Sequence, residues 1–363
     1  MNHVRPSFKL SAIALGVAGL LPFGAASAEE GTDQIENIVV VGQATNVLIT
    51  AEELESYQAD DLADVFRLTP SVNVGGSLGI AQKIYVRGLE DSYVNVTVDG
   101  APQTSTLFHH IGRVTLDPAL LKEVDVQAGA GEATSGAGAI GGAIRFKTKD
   151  VDDLLKDGKA FGATAKVGYA RRSINPLEAL NGDDENDTNT LSLSAYGKLN
   201  DNWGVLAYYN TIDRQNFLNG KGEEILGTAS NQDLTFVKVS GNITDNQYLS
   251  LSYEQRDEEA DFSARPNWHV QEGDLLYASE ATRETYVANY ELTANDALNL
   301  EVSLYDTVSS FKGGRFDWYT EISTFGFDVR NTTKLGIHEL TYGVDYRDDV
   351  VDSGDPLYAN TYH

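Results

Sequence analysis

Phe108-His109-His110, with Arg113 shortly after, is the densest chemistry in this chain: two of its six histidines stand side by side. Neutral imidazole is a common ligand for iron and other transition metals, and a guanidinium pairs with anionic chelates. Adjacent residues on an extended chain point to opposite sides. Both rings therefore reach one ion only if the backbone turns between them; otherwise one is structural and the other meets wall or water. His109 and His110 are candidate metal ligands and, with Arg113, candidates to touch a metal-bearing ligand. Arg214, Arg265, Trp268, His269 and Tyr277, in long polar segments, are of the types that meet an anionic aromatic chelate by charge and stacking. Asp183, Asp184, Glu185 and Asp187 could hold a divalent cation, or be a solvated loop face. No nucleophile–base pair or metal-protease motif is present, so no enzyme is expected. The absence of Cys excludes disulfides and thiolate metal sites. With 54 acidic against 27 basic residues, the chain is unsuited to nucleic acid.

The His pair lies inside a stretch, Ile84 to Lys149, of short β segments joined by Gly-rich connections. The segments are Ile84–Arg87, Val94–Val98, Val124–Gln127 and Ala143–Thr148, with Asp99-Gly100 as a tight turn. Gly136 to Gly141 matches G-x-G-x-x-G, but a short strand comes next where a dinucleotide site needs a helix. Those glycines are read as turn-formers. Ahead of this stretch, Ala51 to Leu68 has helical spacing, with Thr50 and Glu53 as a capping box, a break near Asp60-Asp61 and a stop at Pro70.

From Phe161 the pattern changes to nine strand-like segments, at 161–172, 188–199, 203–213, 232–243, 247–256, 283–294, 298–310, 318–331 and 337–347. Leu249, Leu251 and Tyr253 alternate with Ser250, Ser252 and Glu254, and Leu340, Tyr342, Val344 and Tyr346 with Glu339, Thr341 and Asp345. One apolar and one polar face suit a lipid-facing wall around a wet lumen. The gaps alternate too. Asn200–Asn202, Thr244–Asn246 and Asn295–Ala297 are short; Ser173–Asp187, Arg214–Asn231 and Asp257–Thr282 are long and polar. Outer-membrane barrels have short periplasmic turns and long external loops, whereas a soluble β-sandwich gives no reason for the alternation. Nine is an odd count for a bacterial barrel, so the wall is expected to be incomplete here.

Met1 to Ala28 reads as a signal peptide: Arg5 and Lys9, an apolar run, then Ala26-Ser27-Ala28. Beyond it, Glu36, Asn37, Ile38, Val39, Val40 and Val41 form a β-branched extended segment, able to add to another protein's sheet or to serve as the first strand of the adjoining domain.

Val86-Arg87-Gly88, Val98-Asp99-Gly100, Asp117-Pro118, Val124-Asp125-Val126 and Gly141-Gly142-Ala143-Ile144, in this order and spacing, resemble the plug domain of TonB-dependent outer-membrane receptors. Thr106 to Arg113 followed by Asp117-Pro118 is similar to the FetA/FrpB-type iron and ferric-siderophore receptors. Ala128 departs from the pattern, since many members carry Arg or Lys there and form a plug-to-barrel ion pair from it. The resemblance implies an all-β fold with a small mixed α/β plug, the plug standing inside a transmembrane antiparallel β-barrel. It implies the divisions 1–28 signal peptide, 29–50 periplasmic lead with the TonB box (Glu36 to Val41), 51–155 plug and 156–363 first part of the barrel. Family barrels have about twenty-two strands, so roughly 300 further residues are expected. Arg87, Gly88, Asp99, Gly100, Gly141 and Gly142 are the plug motif positions. The implied activity is TonB-driven import of a ferric siderophore or chelated iron, with TonB, outer-membrane lipid and lipopolysaccharide as partners. Iron travels as cargo and no cofactor is resident. Haem or cobalamin uptake is the alternative within the class; a passive or surface-binding barrel is the alternative outside it.

Overall fold

The computed structural model describes residues 46–353, apart from 77–78, 104–108, 115, 130–132, 172–186, 269, 271–272 and 316–317. The first part comprises β1 (Asn46–Thr50), α1 (Ala51–Ser56), α2 (Leu62–Val65), β2 (Val72–Gly75), β3 (Lys83–Val86), β4 (Leu89–Glu90), β5 (Val94–Val98), β6 (Ala101–Pro102), β7 (Leu121–Ala128), β8 (Gly142–Thr148) and α3 (Val151–Leu154). The Thr50 hydroxyl accepts from the Glu53 amide while the Glu53 carboxylate takes the Thr50 amide, closing the capping box. The expected break falls where Asp61 caps α2. β1, β7, β8, β5 and β6 form one sheet in that order, and β2, β3 and β4 another. Leu54, Val65 and Phe66 from the helices pack on Ile84, Val126, Ile144 and Phe146 in a shared core.

Asn46–Thr50, which the sequence places in the lead, pairs with Glu123–Gln127 at the edge of the plug sheet. Ile49, at 5% exposure, shows why: alternate side chains of this strand reach the same core. The plug therefore begins before residue 51.

The second part is a single antiparallel sheet: β9 (Phe161–Arg171), β10 (Asp187–Lys198), β11 (Trp203–Arg214), β14 (Ser230–Thr244), β15 (Gln247–Ser263), β16 (Leu276–Asn295), β17 (Leu298–Gly313), β18 (Trp318–Leu335) and β19 (His338–Ser353), each paired with the next. A small hairpin, β12 (Phe217–Leu218) with β13 (Glu224–Ile225), stands in the loop between β11 and β14. All nine wall strands fall where the alternation puts them, and β9 and β19 are the sheet's edges. In β14, Leu234, Phe236, Lys238 and Ser240 face the plug and are buried, while Asn231, Asp233 and Thr235 are exposed.

Several strands run further than the apolar alternation does. β15 continues to Ser263 and β16 starts at Leu276, so the loop read as 257–282 shrinks to 264–275. The backbone ladder does not need lipid; it continues as long as neighbouring strands do. The outward face changes character along this extension. Tyr253 and Tyr286 lie directly opposite with ring centroids 4.9 Å apart, and Tyr209 donates to Asp233. Beyond them come the directly opposed carboxylates Asp233 and Asp257, then Glu259 and Glu280.

Candidate functional site

His109 and His110 sit in a turn at the plug apex, on the side of the long wall loops. The turn does what an extended chain could not: it brings the two rings together, centroids 4.0 Å apart. The Lys83 ammonium holds the turn by donating to the His109 carbonyl at 2.6 Å and pairs with Glu90. His110 Nδ1 lies 2.8 Å from Asn267 Oδ1, and its ring meets Trp268 edge-on at 5.7 Å. An amide oxygen only accepts, so Nδ1 carries the proton and Nε2 holds the lone pair. Arg265 lies over the Trp268 ring, its guanidinium carbon 4.2 Å from the ring centroid. Burial pushes the His110 pKa below the ordinary imidazole value, against the opposing effect of the Asn267 bond. The neutral, ligating form is thus favoured at neutral pH.

The structure therefore brings together His109, His110, Arg265 and Trp268. Arg113 turns away, pairing with the buried Asp91 at 3.5 Å. Arg214 is buried in the wall, and Tyr277 pairs with Phe262 in the β15–β16 ladder. Asp187 is bound by Arg171 at 2.7 Å, which makes it an ion-pair partner. Phe108, His269, Asp183, Asp184 and Glu185 lie outside the described residues, as do Glu36 to Val41. Among the described residues, no three His, Asp or Glu side chains gather closely enough to cage a metal ion.

The plug motif positions form corners rather than a binding surface. Arg87 and Gly88 turn β3 into β4 with φ of 50° and 81°. Asp99 and Gly100 turn β5 into β6, and a Cβ on Gly100 would lie 2.7 Å from Ser303 Oγ of the wall. Gly142 has φ 129°, and a Cβ there would stand 2.0 Å from the Gln127 carbonyl. The Gly141 amide donates to the Tyr93 carbonyl.

The plug is tied to the wall by contacts that sequence reasoning missed. Lys238 Nζ lies 3.1 Å from Asp150 and 3.6 Å from Asp99, and donates to Thr148. Asp99 in turn accepts from the Thr148 amide and hydroxyl. Tyr208 donates to Asp117, Asn289 to the Asp99 carbonyl, Arg283 to Gln103, and the Ile80 amide to Glu258. Ala128, buried in β7, takes no part in ion pairing. The one available signal was Lys238 itself, a cation between Val237 and Val239 on the polar face of a wall strand.

A folded plug bonded to the inner face of a long antiparallel wall, with outward apolar and aromatic side chains, is the architecture of a plugged outer-membrane β-barrel. The family profile for the TonB-dependent receptor plug domain matches residues 38–143. The heme transporter BhuA of Brucella ovis is 32% identical over 86% of this chain and 45% of its own length. The heme/hemopexin utilization protein C of Haemophilus influenzae is 27% identical over 83% of the chain and 46% of its own. Among solved structures, the FrpB iron transporter of Neisseria meningitidis matches with a TM-score of 0.73 and 24% identity, over 85% of this chain and 48% of that one. The chain belongs to the TonB-dependent outer-membrane receptors. It spans about half the length of the curated relatives it matches.

Proposed function

We propose that the receptor carrying this chain imports an iron cargo across the outer membrane, and that the cargo is haem. The observation that carries this reading is the grouping of His109 and His110 with Trp268 and Arg265 at the plug apex. Haem asks for an axial imidazole, an apolar aromatic surface against the macrocycle and a cation for its carboxylates. Few ligands ask for all three at once. The reading also draws on the relatives, several of which are named for heme. A ferric siderophore, the cargo implied by the apex motif, would use Arg265 and Trp268 but has no need of imidazole, since its iron is already chelated. Coupling would run through TonB pairing with Ile38–Val41. Arrival of cargo at the apex would be passed down through the plug's bonds to the wall.

The deciding test is titration of haem and of a ferric siderophore into the complete receptor, parent against His109→Ala/His110→Ala. Loss of haem affinity by tenfold or more, with a changed Soret band and no effect on the siderophore, is the expected result. Haem binding of equal affinity and spectrum in parent and variant would remove the histidines from the cargo site.

A further inference from the structure

The apex turn reaches the wall through one buried residue. The Gly112 amide, two positions after His110, donates to the Ile80 carbonyl at 2.6 Å. The amide of the same Ile80 donates to Glu258 Oε2 of β15 at 2.9 Å. Ile80 thus has one end on the wall and the other on the turn that carries the histidines. Ile80 is 4% and Glu258 3% exposed, so bulk water does not compete for these bonds. Side chains follow the same route: Ile80 and Ile111 pack with Phe262 of β15 and Phe311 of β17. The close approach depends on Gly79, which has φ 43° and where a Cβ would stand 2.2 Å from Glu258 Oε1. The surrounding wall is balanced in charge. Glu254 and Glu258 flank Arg256 on the plug-facing side, and Arg256 stands opposite Arg283. The ties made by Lys238 and Tyr208 go elsewhere, to Asp99, Thr148, Asp150 and Asp117.

We propose that Glu258 is a positioning residue for the cargo site: acting through Ile80, it fixes the His109–His110 turn, which keeps its binding geometry only while the plug is seated on β15. The apolar cluster supplies adhesion, which has no direction. The carboxylate supplies alignment, because a hydrogen bond weakens steeply off its line. Linkage makes the effect reciprocal: cargo steadies the joint, and drawing Ile80 off Glu258 weakens the hold on cargo. On the proposed coupling through TonB, a plug drawn off this strand lets its cargo go. The affinity arm of the test rests on the haem reading; the exchange arm does not.

The experiment uses the complete receptor as parent, Glu258→Leu, which removes the acceptor, Glu258→Gln, which keeps one, and Gly79→Ala, which pushes Ile80 off the carboxylate from the plug side. Lys238→Met is the control for a general loosening of the plug. Hydrogen exchange at the Gly112 amide, read without cargo, should speed up about tenfold or more in Glu258→Leu and Gly79→Ala. It should stay within about threefold of the parent in Glu258→Gln and Lys238→Met. Haem affinity should fall by a similar factor in the same two variants, and haem should slow exchange of the Ile80 amide in the parent, a response that a bond serving the fold alone would not give. Unchanged Gly112 exchange in Glu258→Leu and Gly79→Ala refutes the joint, whether or not haem binds, and so does equal acceleration in Lys238→Met. Faster Gly112 exchange with unchanged haem affinity overturns the positioning role. If Glu258→Leu does not reach the outer membrane, Gly79→Ala against Glu258→Gln decides. If haem does not bind the parent, the haem reading fails, and Gly112 exchange still decides whether Glu258 fixes the turn.

Discussion

Replacing Lys238 with Met should loosen the seat of the plug. The ammonium sits 3.1 Å from Asp150 and 3.6 Å from Asp99, with Lys238 and Asp99 both at 7% side-chain exposure. It directs its hydrogens to Thr148, so Asp150 Oδ1 is attracted without being hydrogen-bonded. At an effective dielectric of about 20, each carboxylate attracts the ammonium by about 5 kcal/mol. Desolvation cancels several kcal/mol per ion. Met keeps the length of the side chain but leaves two carboxylates facing each other with no cation, a loss of about 3–5 kcal/mol. The site is local, so the readout must be local: hydrogen exchange at the Thr148 amide, which donates to Asp99 at 2.8 Å. Exchange should speed up by about two to four powers of ten in Lys238→Met. Adding Asp99→Asn should cost less than the sum of the two single changes by at least about 1 kcal/mol, since the pair is in one network. Exchange within threefold of the parent, or strictly additive changes, would refute the idea that this ion cluster holds the plug to the wall.

Gly112→Ala should displace the apex, because the new Cβ would stand 1.8 Å from the Gln82 carbonyl; cargo affinity should fall at least tenfold while the wall still folds, as judged by heat-modifiable migration. Val39→Pro removes a backbone donor from Ile38–Val41, the segment proposed to pair with TonB; surface binding of cargo should persist while uptake stops, and uptake at the parental rate would exclude this segment as the TonB box. The pH dependence comes from His110, whose folded pKa is held below the ordinary value by burial. Its contribution is complete above the unfolded value of about 6.5 and is lost as pH falls through that value towards the folded one. Haem affinity measured from pH 8 to 5 should therefore hold at pH 6.5 and drop below it; a midpoint above 6.5 would contradict the burial argument. Asn267→Ala should reduce haem affinity less than His110→Ala, and more when the His109 ring is also removed, measured by the same titration.

The wall was legible because its rule is local. Leu249, Leu251 and Tyr253 announce a lipid face within five positions, and every strand repeats the announcement. The upper strand ends were not, because Asp257 to Ser263 obey no apolar alternation and owe their extension to the partner strand. Thr50 and Glu53 gave the helix start for the same local reason. The histidines were legible as a type, while their surroundings were not: Asn267 lies 157 positions from His110 in the chain. Arg256 and Arg283 become neighbours only once the β15–β16 register is fixed. Lys238 reads from sequence as one more lumen residue until the plug supplies Asp99 and Asp150. Contacts between plug and wall depend on how two sheets far apart in sequence mesh, and no short pattern encodes that.

The opposed carboxylates Asp233 with Asp257 and Glu259 with Glu280 serve as a waterline. Facing acids of this kind survive only where the dielectric is high and counter-ions are at hand, so hydrocarbon must end below them, near the Tyr253 and Tyr286 rings. From Tyr286 to the start of β16 at Leu276 the strand climbs about 25 Å, allowing for the usual tilt. The receptor thus stands out of the bilayer as a parapet. On the haem reading proposed above, cargo would be taken from the medium over that rim, well clear of the lipid into which a greasy macrocycle would otherwise dissolve.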